Sequence, residues 1–191
     1  MQKPNGMLLT PGAGGSSEHA TLQAIEQAVA PLPVRRHDFE YRRLGKKAPP
    51  RAPKLIAELR QDLPGIAEEL GTTTERMVIG GRSMGGRICS MAAAEGLPVA
   101  GLVLLSYPLH PPGKPETLRV EHLPDLQMPC LFISGDNDPF GTPDEFAEHL
   151  SGIPGPVTSV FLDGGRHDPK NKAQVAQIVD TVAAWVADLP A

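Results

Sequence analysis

The sequence is poor in the features that would place it in a secreted, metal-bound or membrane class. It has two cysteines in 191 residues, Cys89 and Cys130, each set among apolar neighbours. Two thiols build neither a disulfide framework nor a four-ligand metal site, so both read as small core residues and no metal is expected. No apolar run approaches the ~20 residues of a membrane helix. The first apolar segment, Met7 to Leu9, is too short for the central region of a secretory signal, which implies a cytoplasmic protein that does not engage a membrane. Proline and glycine are plentiful, at 21 and 20, but they fall between the apolar runs and act as punctuation. The length fits one domain spanning residues 1–191.

The net charge of −4 is unevenly spread. Between Arg35 and Lys54 there are eight Lys or Arg against Asp38 and Glu40, and the rest of the chain is acidic. An acidic body repels nucleic acid, so the basic segment points to a local anionic ligand, with Arg42 and Arg43 as its candidate contacts.

Six short runs read as strands: Met7–Thr10, Val34–Phe39, Arg76–Gly80, Ala100–Ser106, Cys130–Ser134 and Val157–Leu162. Most are apolar without alternation, as in parallel strands covered on both faces. Helical spacing appears between them over Glu18–Ala30, Pro53–Leu63, Met84–Glu95 and Pro143–Leu150, with Pro64-Gly65 interrupting the second. A last helix follows Asp168-Pro169, which reads as a cap with proline in the first turn. Strands alternating with helices predict a three-layer α/β sandwich around a mainly parallel six-stranded sheet, with ligands bound beyond the carboxyl ends of the strands.

Those strand ends hold the unusual residues. Gly81-Arg82-Ser83-Met84-Gly85 is a G-x-S-x-G pattern placed between an apolar strand and a helix. A chain of this composition carries roughly 0.09 such patterns by chance, so the context gives the motif its weight. A sharp strand-to-helix reversal needs small residues on either side of a serine held in a strained conformation. A serine hydroxyl needs a base, and an imidazole needs a carboxylate to orient it. His167 follows the sixth strand and Asp138 the fifth, giving the order Ser83, Asp138, His167. Asp136 and Asp163 are the competing carboxylates. Asp136-Asn137-Asp138 also begins like a calcium loop, but Phe140 and Ala147 occupy later ligand positions.

The first loop, Thr10 to Ser17, has two readings. Its small residues let the Ala13 N–H join that of Met84 at a developing oxyanion. Alternatively, Gly12-x-Gly14-x-x-Ser17 followed by Asp38 resembles a dinucleotide fingerprint, with serine in place of the third glycine. No Walker lysine follows, and a cofactor would leave the serine, acid and histidine unexplained, so none is expected. Four aromatics, Phe39, Tyr41, Tyr107 and Phe140, fall in strand-end segments and are candidates to rim a pocket, with Tyr107 and Phe140 as the candidate substrate contacts.

Taken with Leu9 to Gly15, Lys46 to Pro49, Gly80 to Arg87, Tyr107 to Pro115, Asp138 to Gly141 and Gly164 to His167, the chain resembles an α/β-hydrolase of the small, lidless, dienelactone-hydrolase-like group. Within that group it is similar to bacterial proteins related to a testis-expressed protein and to subunit 3 of the non-specific-lethal complex. The resemblance implies strand order 2-1-3-4-5-6, Ser83 as nucleophile, Asp138 as acid and His167 as base. The family's oxyanion loop commonly begins His-Gly, whereas Pro11 precedes Gly12 here. The expected activity is hydrolysis of a small ester or thioester through an acyl-enzyme, with an anionic substrate favoured by the basic segment. The second reading is a catalytically idle interaction module on the same fold.

Overall fold

The computed structural model describes residues 3–190. Six strands run parallel in the order β2-β1-β3-β4-β5-β6. They are β1 (Gly6–Thr10), β2 (Val34–Arg36), β3 (Met77–Arg82), β4 (Gly101–Leu105), β5 (Cys130–Gly135) and β6 (Val157–Leu162). The helices are α1 (Ala20–Ala28), α2 (Glu40–Arg43), α3 (Ala52–Glu69), α4 (Met84–Ala94), α5 (Pro143–Leu150) and α6 (Lys172–Asp188). Every residue of β1, β3, β4 and β5 is buried, which is why those strands read as unbroken apolar runs.

Successive side chains of a strand point to opposite faces, so one run feeds two cores. Leu8, Ile79, Leu102, Leu104 and Phe132 pack with Leu55 and Leu59 of α3, Ile88 of α4 and Phe146 of α5. Met7, Leu9, Val78, Val103 and Ile133 pack with Leu22 and Ile25 of α1 and with Ile178, Val182 and Val186 of α6. Both cysteines are fully buried, as their neighbours suggested. Among the described residues, no helix is long and apolar enough to cross a membrane.

Three boundaries differ from the sequence reading by three residues or more. The second strand ends at Arg36 instead of Phe39. Its partner β1 leaves the sheet at Thr10-Pro11, and Asp38 instead accepts from the N–H and the hydroxyl of Ser17, at 2.8 Å each. Helix α3 runs through Pro64-Gly65 to Glu69, because Ile66 and Ala67 continue beyond the proline the buried apolar face that Leu63 carries before it. That burial outweighs the loss of one backbone hydrogen bond. Helix α6 begins at Lys172. Asn171, not Asp168, caps it by accepting from the Ala173 N–H at 2.8 Å, while Asp168 is drawn 2.7 Å from Arg82. Replacing this cap, Asn171→Ala, is expected to lower the unfolding free energy by about 1 kcal/mol, and Asn171→Asp to preserve it, measured by urea denaturation.

Candidate active site

The strand-to-helix turn after β3 is built by close backbone approach. A Cβ on Gly81 would lie 1.9 Å from the Thr10 carbonyl oxygen, and one on Gly85 would lie 2.5 Å from that of Pro11. Any side chain at either position would push β3 and α4 away from the end of β1. Between them Ser83 adopts φ 48° and ψ −115°, a conformation costing a non-glycine residue about 1–3 kcal/mol. It is held by a hydrogen bond from the Ser83 N–H to the Leu105 carbonyl at 2.8 Å.

The loops after β5 and β6 are stitched together beside this turn. The Asn137 N–H donates to the Gly165 carbonyl at 2.9 Å and the Asp136 N–H to that of Leu162 at 3.2 Å. Asp138 is thereby buried, with its carboxylate 2.8 Å from His167 Nδ1 and accepting from the Phe140 N–H at 2.9 Å. A carboxylate can only accept here, so Nδ1 carries the proton and the lone pair of Nε2 faces Ser83 Oγ, 2.8 Å away. Phe140 stacks on the imidazole, with ring centroids 3.9 Å apart at 25°. Asp136 instead accepts from its neighbour Asn137, and Asp163 is exposed.

Opposite the serine, the Gly12 carbonyl accepts from the Gly15 N–H at 3.0 Å, closing a turn around Ala13. The Tyr41 hydroxyl donates to the Ala13 carbonyl at 2.8 Å, which ties this turn to α2. Met84 is the first residue of α4, so its N–H has no carbonyl acceptor within the helix. Ala13, Ser83 and Met84 line one cavity of about 340 Å³, walled by Pro49, Pro50, Pro108 and Phe140.

The cations in that cavity are Arg87 of α4 and Arg119 of the connection between β4 and β5. Burial and the neighbouring Arg87 charge hold the Arg119 guanidinium below its usual pKa. The buried Arg87 Nε has no hydrogen-bond partner among the described residues. Arg119 was invisible to a search of residues immediately after strands, because it stands 14 positions beyond Leu105. An arginine midway along a long connection was its only signal.

The other pocket candidates lie elsewhere. Tyr107 is 1% exposed and donates to the Arg119 carbonyl at 2.9 Å, so it supports the backbone of a pocket residue from within the core. Arg43 donates to the Asp38 carbonyl at 2.9 Å and lies 3.6 Å from Glu58 and 3.8 Å from Asp62, while Arg42 reaches only the Lys46 carbonyl. Half of the basic segment's eight cations are paired with acids: besides Arg43, Arg36 pairs with Glu18 and Glu26, Arg35 with Glu69 and Lys54 with Glu40. The first loop opens a helix as the dinucleotide reading required, but Asp38 is spent on Ser17.

Among the described residues, one group has metal-ligand spacing: His37, Glu58 and Asp62, with donor atoms within 4.8 Å of one another. The Arg43 guanidinium already stands beside both carboxylates and supplies the cation there. Burial pushes the Cys89 and Cys130 thiols up to about 12, so neither offers a thiolate at neutral pH. Outside the Ser83 cluster, His19 caps α1, His110 meets Glu145 at 3.2 Å and His122 meets Ser90 at 2.8 Å.

The family described as alpha/beta hydrolase domain matches residues 3–189. Among solved structures, the chain is similar to Est1E from Butyrivibrio proteoclasticus, with 15% identity and a TM-score of 0.74 over 99% of this chain and 89% of that one. It is also similar to a dienelactone hydrolase from Anabaena variabilis, with 18% identity and a TM-score of 0.69 over 99% and 90%. The type II thioesterase BorB of the borrelidin biosynthetic cluster gives 18% identity and a TM-score of 0.69 over 98% and 92%. At such identities the likeness is one of fold.

His122 makes a pH prediction. Burial and then the Arg87 charge push its imidazole down to about 4. The unfolded chain, with an ordinary histidine near 6.5, then binds the extra proton between those values, so stability falls as pH drops through that window. His122→Gln should remove this component: the difference between the two proteins' unfolding free energies is expected to vary between about pH 6.5 and 4 and to be flat above pH 7.

Proposed function

Since the chain belongs to the α/β-hydrolase family, we propose that it is a serine hydrolase acting on small esters or thioesters through an acyl-enzyme. The observation that carries this reading is the unbroken line from Ser83 Oγ through the His167 ring to the buried Asp138 carboxylate, with both links at 2.8 Å. In the proposed reaction Ser83 Oγ attacks the substrate carbonyl carbon while His167 Nε2 takes its proton. Asp138 holds the tautomer and stabilises the imidazolium. The N–H groups of Met84 and Ala13 receive the negative charge on the carbonyl oxygen. The imidazolium then protonates the leaving alcohol or thiol. A water, deprotonated by the same nitrogen, attacks the acyl carbon and frees the acid and Ser83.

The substrate's second feature follows from the cavity walls. Proline and phenylalanine faces suit a compact apolar group, and two guanidiniums that repel one another are stabilised by an anion between them. We therefore assign the preference for a carboxylate- or phosphate-bearing substrate to Arg87 and Arg119 and not to Arg42 and Arg43.

Ser83→Ala is expected to abolish hydrolysis of p-nitrophenyl acetate while leaving a cooperative thermal transition. Activity retained by the purified variant removes the assignment, and absence of activity in the wild type favours an interaction module. Asp138→Asn should lower kcat on the order of 10⁴-fold through loss of the correct tautomer, and Asp136→Asn by far less. For matched neutral and carboxylate-bearing esters, Arg87→Met with Arg119→Met should reduce kcat/KM for the anion selectively. Equal losses on both esters would mean that the arginines serve structure alone.

A further inference from the structure

Arg82 is the last residue of β3 and the neighbour of Ser83, and its side chain is only 11% exposed. A buried guanidinium costs several kcal/mol of desolvation unless its donors are met, and burial does lower its pKa. One terminal nitrogen lies 2.7 Å from Asp168 Oδ1 and donates to the main-chain carbonyl of His167 at 3.1 Å. The other lies 2.6 Å from His19 Nε2 at the start of α1. The residue beside the serine therefore grips the backbone of the histidine facing that serine, and the residue following that histidine neutralises the grip. Its charge also reaches Asp138.

We propose that Arg82 and Asp168 form an ion pair that positions His167 and balances the charge beside its imidazole, so that Arg82 is a positioning residue of the hydrolytic site. This rests on the reaction proposed above. Two effects are joined in one side chain. The guanidinium fork fixes the loop after β6 from below, while Phe140 fixes the imidazole on its face and Asp138 fixes Nδ1. The pair also balances charge beside the imidazole. The charged groups near His167 include Asp138 from the loop after β5, Arg82 from β3, Arg87 and Arg119 in the cavity beside Ser83, and Arg166, Asp168 and Lys170 of its own loop. His19, which caps α1, is held below its usual pKa by burial and then by the Arg82 charge.

Removing the cation leaves Asp168 unpaired and favours the imidazolium. Removing the carboxylate leaves Arg82 unpaired and disfavours it. The two substitutions therefore move the base in opposite directions, which a purely mechanical brace cannot do.

The test is the pH dependence of kcat/KM for p-nitrophenyl acetate in the wild type, Arg82→Met, Asp168→Asn, the double variant and Arg82→Lys. In Arg82→Met the acidic limb should move up by a few tenths of a pH unit, with kcat lowered roughly ten- to hundredfold by misplacement of the base. Asp168→Asn should move the limb down, and the double variant should return it close to the wild-type position. Arg82→Lys restores the charge without the planar fork, so the limb should recover while kcat stays reduced. Limbs that coincide in all five proteins, or that move in the same direction in both single variants, overturn the proposal. Asp168 is half-exposed, so Asp168→Asn decides the question alone where an Arg82 variant does not fold. A wild type no more active than Ser83→Ala would instead remove the underlying reaction.

Discussion

The close approach of the end of β1 to the turn after β3 governs the rest of the molecule. Because Gly81 and Gly85 lack side chains, Thr10 and Pro11 lie against the turn that carries Ser83. The loop following Pro11 is then delivered to the serine, with Ala13 and Met84 on the wall of one cavity. The same crowding holds Ser83 at a positive φ that an unconstrained chain would relax. That strain is supported by the surrounding strands: Met7, Leu9, Val78 and Val103 are fully buried, and so is Leu8 on the opposite face. The strained turn thus draws on core packing at distant positions.

Much of this arrangement was legible in the sequence, and for physical reasons. Parallel strands buried on both faces leave unalternating runs, so β1, β3, β4 and β5 could be placed from composition alone. Ser83 and Asp138 stand out because each follows such a run and His167 because it follows the last strand, and the structure brings these three side chains together. What was not legible depends on tertiary partners. The end of β2 is set by where β1 leaves the sheet, and the start of α6 by Arg82 capturing Asp168. Helix α3 ignores its proline because of what Leu63 and Ile66 touch across the core. Arg119 and Tyr107 exchanged expected roles: the aromatic residue at a strand end went inside, and an arginine far along the connection came to the cavity.

Charge is distributed by the same logic. In the conspicuous basic run, Arg35 to Lys54, four of the eight cations pair with acids on or beside α1, α2 and α3, and those ion pairs fasten the edge of the sheet. Three less conspicuous arginines stand close to the serine: Arg82, which contacts the His167 carbonyl and Asp168, and Arg87 and Arg119, which line the cavity. A count of charge along the chain finds the first group. Finding the second requires knowing which side chains the fold brings beside Ser83.

The central claim is that Ser83 is made nucleophilic by His167 and Asp138. Incubation with a fluorophosphonate, followed by intact-mass and peptide analysis, tests it without knowledge of the natural substrate. One phosphonyl group per chain is expected, on Ser83, with its formation slowed severely in His167→Ala. A chain that stays unlabelled, that is labelled on another serine, or whose Ser83 reacts as fast without the imidazole would contradict the account.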